Sequence, residues 1–485
     1  MNLEAPEKIL NFIDGQFVGP ASGKFLDNVN PATGQVYSHI PDSNKEDVEA
    51  AVTAAGKAFA AWSTTAPDKR FKILNRMAEL IEENLDALAL AETNDNGKPL
   101  SLSKRVDIPR ASDNFRFFAT GLMHYASESH SMEGKAINYT LRQPVGIVGC
   151  ISPWNLPLYL FTWKIAPALA MGNCVVAKPS EVTPMTSYLL CHVAKEAGLP
   201  DGVLNILHGT GPDCGSAIVS HPKIKAVSFT GSTRAGKDIA AIAAPMFKKL
   251  SLELGGKNPN IIFADCNWEK MMRTTLQSSF ANQGQICLCG SRILVEESIY
   301  EKFKAEFMER ARTLIVGDPM QESSKQGAVV SKMHYDKVLA CIALAKEEGG
   351  NILLGGKPVK PEGRCADGYF IEPTIIEGLG PDCRTNMEEI FGPVVTLQSF
   401  KTEEEALALA NCSDYGLAAT IWTENITRAH RIAAMVQSGI IWVNCWLLRD
   451  LRTPFGGFKN SGVGREGGWE AMRFFTEPKN VCIEL

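Results

Sequence analysis

Apolar positions in the first part of the chain recur at helical spacing. Val48, Ala51, Val52, Ala55, Phe59 and Trp62 share one face, and Ser43-Asn44-Lys45-Glu46 just before them reads as a capping box. A second stripe of Phe71, Leu74, Ala78, Ile81, Leu85 and Leu88 opens near Pro67, a residue suited to a first helical turn. Both stripes predict core-forming faces and carry no chemistry. From Arg142 onward the pattern changes to short runs rich in Val and Ile at 145–151, 174–177, 203–207 and 226–229. Stretches long enough for crossover helices separate them, at 157–171, 183–197 and 211–220. Strand–helix–strand repetition with fully apolar strands predicts an α/β fold with a parallel, doubly wound sheet. The alternation continues past residue 255, with a run at 293–295 and a helix at 299–314, into a second α/β unit. Segments 136–142 and 480–485 read as strands outside the body, to be paired with other elements or with another subunit.

Composition narrows the function classes. The 485 residues are 45% hydrophobic and 21% charged, which excludes a disordered or collagenous chain. The net charge is −5, from 49 Lys and Arg against 54 Asp and Glu, with no basic stripe of the kind nucleic acid requires. No run of about 18 apolar residues predicts a membrane span. Residues 1–11 lack a basic segment followed by an apolar one, so no secretory signal is expected there. Thirteen scattered cysteines, an odd number, suit a reducing cytoplasm better than a disulfide framework.

In a doubly wound sheet, ligands sit beyond the carboxyl ends of the strands, so the residues just after each run hold the candidate chemistry. Ser152-Pro153-Trp154-Asn155 follows the first run, and Asn155 could present a carboxamide donor or merely form a turn. Lys178-Pro179-Ser180-Glu181 follows the second: Lys178 supplies a cation, Glu181 can accept from ribose hydroxyls, and a loop ion pair is the alternative. After the fourth run, Gly231-x4-Gly236-Lys237 imitates a phosphate-binding loop of NTPases. Asp238, however, stands where a Ser or Thr should bind Mg²⁺, so a helix N-terminus facing a pyrophosphate is the better reading. Glu253, among apolar residues before Gly255-Gly256, should have a raised pKa suited to a general base, or else cap or pair. Cys287 and Cys289 lack a second ligand pair at zinc spacing, so no metal is expected, and the choice lies between a nucleophilic thiol and structural ones.

Seven segments occur in order: Pro153-Trp154-Asn155, Lys178-Pro179-Ser180-Glu181, Phe229-Thr230-Gly231-Ser232, Glu253-Leu254-Gly255-Gly256-Lys257, Gly284-Gln285-Ile286-Cys287, Glu388-Glu389-Ile390-Phe391-Gly392-Pro393 and Pro454-Phe455-Gly456-Gly457. Across essentially the whole chain this resembles the NAD(P)-dependent aldehyde dehydrogenase superfamily. The resemblance implies a coenzyme domain at 1–123 and 144–255, a catalytic domain at 256–455, and a small β arm at 124–143 and 470–485 that builds homodimers or homotetramers. It also implies roles. Cys287 would be the nucleophile, Glu253 the base, and Asn155 with the Cys287 N–H the oxyanion hole. NAD would be held by Ser152, Pro153, Trp154, Lys178, Ser180, Glu181, Gly211, Phe229, Thr230, Gly231, Ser232, Leu254, Glu389 and Phe391. Glu181 facing the ribose would repel a 2′-phosphate and favour NAD over NADP.

The segment Asn444-Cys445-Trp446-Leu447-Leu448-Arg449-Asp450-Leu451-Arg452 lines the substrate entrance in that superfamily and carries two arginines here. Arg449, joined from the helical side by Arg105, could clamp a carboxylate. The alternative pairs Arg449 with Asp450 and Arg105 with Asp107. These stretches resemble the muconic semialdehyde dehydrogenases of aromatic-ring degradation. The expected substrate is therefore 2-aminomuconate 6-semialdehyde, with the 2-hydroxymuconate analogue or a broader aldehyde range as alternatives.

Overall fold

The computed structural model describes residues 3–485, so residues 1 and 2 of the expected first domain lie outside the described residues. Two sheets organise the chain. The first has eight strands in the order Gln16–Val18, Asn11–Ile13, Leu204–Ile206, Cys174–Lys178, Ile147–Ile151, Ile224–Thr230, Lys249–Glu253, Gly462–Val463. Five of its strands, from Leu204–Ile206 to Lys249–Glu253, are parallel, and the three pairings outside them are antiparallel. The four expected Val- and Ile-rich runs are among the parallel strands, each wholly or almost wholly buried, as continuous apolar sequence requires. In chain order the five parallel strands lie 3-2-1-4-5. The winding therefore reverses between Ile147–Ile151 and Ile224–Thr230, and the crevice at that point is where such a sheet takes a ligand.

The second sheet has seven strands in the order Asn351–Leu354, Thr374–Glu377, Val394–Phe400, Arg292–Glu296, Pro259–Ile262, Ala418–Trp422, Ile440–Val443. All are parallel but the first. The chain passes from one sheet to the other between Glu253 and Pro259, and Gly462–Val463 returns to the first sheet's edge. The outlying segments pair with each other: Ala136–Pro144 lies between Ser129–Met132 and Thr476–Glu484 in an antiparallel sheet. Met132, Ile137, Leu141, Ile483 and Leu485 leave apolar surface exposed on these strands and at their end.

Three local expectations need correction. The cap of helix Lys45–Ser63 sits one residue later than the expected box: the Asn44 side chain accepts from the Glu46 N–H, and Asp47 accepts from Asn44. Ser43 instead bonds the buried Asn11 side chain at 2.8 Å, a tertiary contact that displaces its local role. The stripe from Phe71 to Leu88 is two helices, Pro67–Glu83 and Leu85–Asn96, broken at Asn84, whose own side chain bonds the Leu80 carbonyl. The crossover at 211–220 is a five-residue π-helical turn, Gly211–Gly215, and a short helix, Ser216–Ser220.

Candidate active site

Cys287 lies on a loop after helix Trp268–Phe280 that local preference opposes. Asn282 and Gln283 hold φ of 52° and 55° and Gly284 follows at 69°, three successive left-handed residues. Such conformers each cost of order 1–3 kcal/mol in non-glycine residues and persist only where tertiary contacts enforce them. The enforcing bonds are visible: Asn282 Nδ2 donates to the Asn155 carbonyl (2.8 Å), Gln283 Nε2 to Ala328 (2.7 Å), and Val330 N to Gln285 Oε1 (3.0 Å). The Gly392 carbonyl closes on the face of Gly284 where a Cβ would stand. Asn258 Nδ2 bridges the carbonyls of Cys287 and Cys289, at 2.6 and 2.9 Å. Among the described residues the Cys287 N–H has no hydrogen-bond acceptor.

Cys287 occupies the junction of two cavities. One, of about 280 Å³, is lined by Arg105, Tyr159, Glu253, Leu288, Trp446, Arg449 and Phe455 among others. The other, of about 550 Å³, is lined by Pro153, Trp154, Asn155, Gly231, Ser232, Glu389 and Phe391 among others. Thr230, Leu254 and Cys287 belong to both. Burial pushes the Cys287 thiol well up, Glu389 and Glu253 add to that, and Arg449 pulls it back. The resting sulfur is thus a thiol, and a base must take its proton.

Asn155 is 3% exposed and lines the larger cavity; its carbonyl is held, while among the described residues its carboxamide has no hydrogen-bond partner. Glu253 ends strand Lys249–Glu253, is also 3% exposed, and neither carboxylate oxygen has a partner. Burial first and the nearby Glu466 second raise its pKa well above the carboxylate range, against Lys164, Arg449 and Arg465. The expected raised pKa is present and the capping or pairing alternative is not. An unpaired buried carboxyl beside a thiol can exchange a proton with that thiol or with a water placed between them.

The larger cavity is the crevice where the winding reverses. Trp154 and Phe391 meet edge to face with centroids 5.2 Å apart, and Phe391 takes a left-handed φ of 63°. Glu389 Oε1 accepts from the Gly256 N–H at 2.8 Å. Ser232 caps helix Thr233–Ala243 by accepting from the Ala235 N–H, and Gly231 and Ser232 bring that helix N-terminus to the wall of this cavity. Other expected cofactor residues lie elsewhere. Phe229 is buried beneath Gly231, where its ring fills the space of a Cβ. The Ser152 hydroxyl is buried without a partner. Lys178, Ser180, Glu181 and Gly211 lie outside the cavity, at the ends of the neighbouring strands and the turn after them. Lys178 Nζ there bonds Glu181 Oε2 at 3.2 Å, the loop ion pair.

Around the smaller cavity, Asp450 pairs with Arg452 (2.6 Å) and Asp107 with Lys98 (2.7 Å), so neither takes the arginine set against it in the alternative pairing. Arg449 Nη1 donates to the Tyr159 hydroxyl at 2.7 Å, and its guanidinium lies 4.4 Å from the Trp163 ring centre and 4.0 Å from that of Phe455. Its Nη2 is buried without a partner. Arg105, exposed on the π-helical turn Ser103–Asp107, reaches the same cavity, whereas Arg452 does not line it. Sequence reasoning missed Tyr159 and Trp163; their i,i+4 spacing on helix Pro157–Ala170 was a signal, but only the fold brings Arg449 to them. It also missed His334, whose Nε2 bonds the Phe391 carbonyl at 2.7 Å. Cys289 is buried in the cluster around the loop and has a packing role.

Comparison with known proteins agrees with this geometry. The description "Aldehyde dehydrogenase family" matches residues 17–481. The chain belongs to the aldehyde dehydrogenase family. It is 50% identical over 477 residues to a 2-aminomuconic semialdehyde dehydrogenase of Bos taurus, covering 98% of each chain. It is 46% identical over 485 residues to a 2-hydroxymuconic semialdehyde dehydrogenase of a Pseudomonas species, covering 99% of this chain and all of that one. An aldehyde dehydrogenase from Bacillus cereus, solved as an NAD⁺ complex, superposes with a TM-score of 0.96 at 38% identity over the whole of both chains. Among the described residues no helix is long and apolar enough to cross a membrane, no cluster of His, Cys, Asp or Glu could hold a metal ion, and all thirteen cysteines are free.

Proposed function

We propose that this enzyme oxidises 2-aminomuconate 6-semialdehyde to 2-aminomuconate with NAD through a covalent intermediate on Cys287. The observation that carries the reading is the placement of Cys287 between a nucleotide-sized crevice and a second cavity whose wall holds an unpaired guanidinium donor. Arg449 and Arg105 bind the distal carboxylate of the substrate, and the Trp163 and Phe455 faces fix the Arg449 plane. Cys287 loses its proton to Glu253, directly or through a water, and Sγ bonds the aldehyde carbon. The Asn155 carboxamide and the Cys287 N–H stabilise the resulting oxyanion, a contribution of roughly 10²–10³ in rate for such donors.

The larger cavity fits a dinucleotide: aromatic faces at one end, a helix N-terminus for the pyrophosphate, and the Lys178–Glu181 loop beyond. When bound, NAD supplies the hydride acceptor. Collapse of the oxyanion then leaves a thioester on Cys287. Once Glu253 has released the Cys287 proton to solvent, it takes a proton from the attacking water, and the thioester C–S bond breaks with its electron pair returning to Sγ as the acid leaves. Glu181 at the ribose disfavours a 2′-phosphate. The same reading makes the strands around residue 256 the divide between coenzyme and catalytic portions, and the exposed apolar strands at 129–144 and 476–484 the contact between subunits of a homodimer or homotetramer.

The 2-hydroxymuconate analogue is a second reading, favoured by the 46% identical Pseudomonas relative. A spectrophotometric assay of NADH formation with both semialdehydes and with propanal tests the proposal. Faster turnover at lower KM with the carboxylate-bearing substrates supports it, and equal kcat/KM with propanal rejects it.

A further inference from the structure

Beneath Asn155 lies a cluster of charges that no step of the reaction touches. Glu92, Lys98 and Asp107 are all 0% exposed. Lys98 Nζ bonds Asp107 Oδ1 at 2.7 Å, approaches Glu92 Oε1 at 3.5 Å, and donates to the Asn155 carbonyl at 3.1 Å. Burial holds Glu92 well above the usual carboxylate range, Lys98 drawing it down and Asp107 pushing it up. With that carboxyl protonated, one cation faces one anion.

Each partner belongs to a different part of the site. Lys98 follows the left-handed Gly97 that ends helix Leu85–Asn96. From the same segment, Asn96 Nδ2 donates to the Trp154 carbonyl at 2.8 Å. Together with Asn282 they fix the main chain on either side of Asn155, so its carboxamide is aimed without being engaged. Asp107 closes the π-helical turn Ser103–Asp107, a rare conformer, and two residues before it Arg105 reaches into the aldehyde cavity. Ser103, at the other end of that turn, hydrogen-bonds Thr93 at 2.8 Å.

The geometry points to Lys98 and Asp107 as positioning residues: one buried ion pair sets the separation between the oxyanion donor Asn155 and the carboxylate-binding Arg105. A purely structural ion pair would be served as well by apolar residues of similar size, often with no loss of stability. An ion pair that spaces two functional groups cannot be replaced in that way. The Arg105 half of this inference rests on the carboxylate-binding reading above; the Asn155 half does not.

The test is the double variant Lys98→Met/Asp107→Leu, which leaves neither charge uncompensated, with Asp107→Asn beside it. Steady-state kinetics are measured with a muconic semialdehyde and with propanal, alongside NAD⁺ affinity by fluorescence and thermal unfolding. In a folded double variant kcat should fall about 100-fold for both aldehydes, the scale of an ångström-sized misplacement. KM should rise for the carboxylate-bearing substrate alone, and NAD⁺ affinity should hold. Asp107→Asn, which keeps the hydrogen-bonding shape, should recover part of the propanal kcat. Wild-type kinetics in the folded double variant would overturn the inference, as would a loss of activity matching the unfolded fraction with the KM ratio unchanged. If the wild-type enzyme fails to favour the carboxylate-bearing aldehyde, the substrate reading falls, and the propanal kcat alone decides for or against Lys98.

Discussion

The two cavities that meet at Cys287 are built in different ways. The nucleotide crevice is a product of main-chain topology. It opens where the winding of the first sheet reverses, and one wall follows directly from strands Ile147–Ile151 and Ile224–Thr230, while Cys287, His334, Glu389 and Phe391 close it from the second sheet's segments. The aldehyde cavity is a product of side chains from remote segments: Arg105 on a π-helical turn, Tyr159 on the helix after strand Ile147–Ile151, Glu253 at the carboxyl end of a strand, and Arg449 nearly 200 residues later. A crevice of the first kind suits a ligand common to many enzymes, because its shape survives side-chain change. A cavity of the second kind can be retuned for one substrate by exchanging a few side chains.

Substitutions can separate the two sides. Cys287→Ser belongs to both, and it should reduce turnover by about 10⁴-fold or more while NAD⁺ still binds; retained turnover would remove the residue from the reaction. Glu253→Gln acts on the aldehyde side alone and should slow deacylation by roughly 10²–10⁴. Rapid quenching and mass spectrometry should then find the acyl thioester on Cys287. Because burial raises the Glu253 pKa, the base form is scarce at low pH, so activity of the native enzyme should climb with pH through the neutral range and above. The glutamine variant should lose that limb of the pH–rate profile.

Asn155→Ala sits on the boundary, and a fall of roughly 10²–10³ in kcat with both cavities otherwise intact is expected. Arg449→Ala sharpens the comparison further. A charged hydrogen bond of about 1.5–3 kcal/mol predicts a KM increase of roughly 10- to 150-fold for carboxylate-bearing aldehydes and almost none for propanal. An equal rise for both would make Arg449 a packing residue. Glu181→Gln should have the smallest effect, about a tenfold shift of preference towards NADP, or about 1.4 kcal/mol, read from the ratio of kcat/KM for the two cofactors.

This contrast also governs what could be read beforehand. The parallel strands were legible because their apolar runs are local; the raised pKa of Glu253 was expected from its apolar neighbours, yet much of it comes from burial by distant segments and from Glu466. The cap at Asn44 and the break at Asn84 differ from local expectation because Ser43 found a distant partner in Asn11 and Asn84 turned its side chain on its own helix. Phe229 shows the limit of a motif: it belongs to the quoted segment, yet its ring supports Gly231 from below and does not line the crevice.

By itself the sequence determined the alternation of strand and helix, since apolar periodicity is a local property of the chain, and it supplied a thiol, a carboxyl and a carboxamide in a recognisable order. Only the tertiary structure decided that the carboxyl has no partner, that Arg449 belongs to Tyr159 and not to its neighbour Asp450, and that Lys98 lies under Asn155. Those outcomes depend on which groups are removed from water together, and that is fixed when distant segments pack.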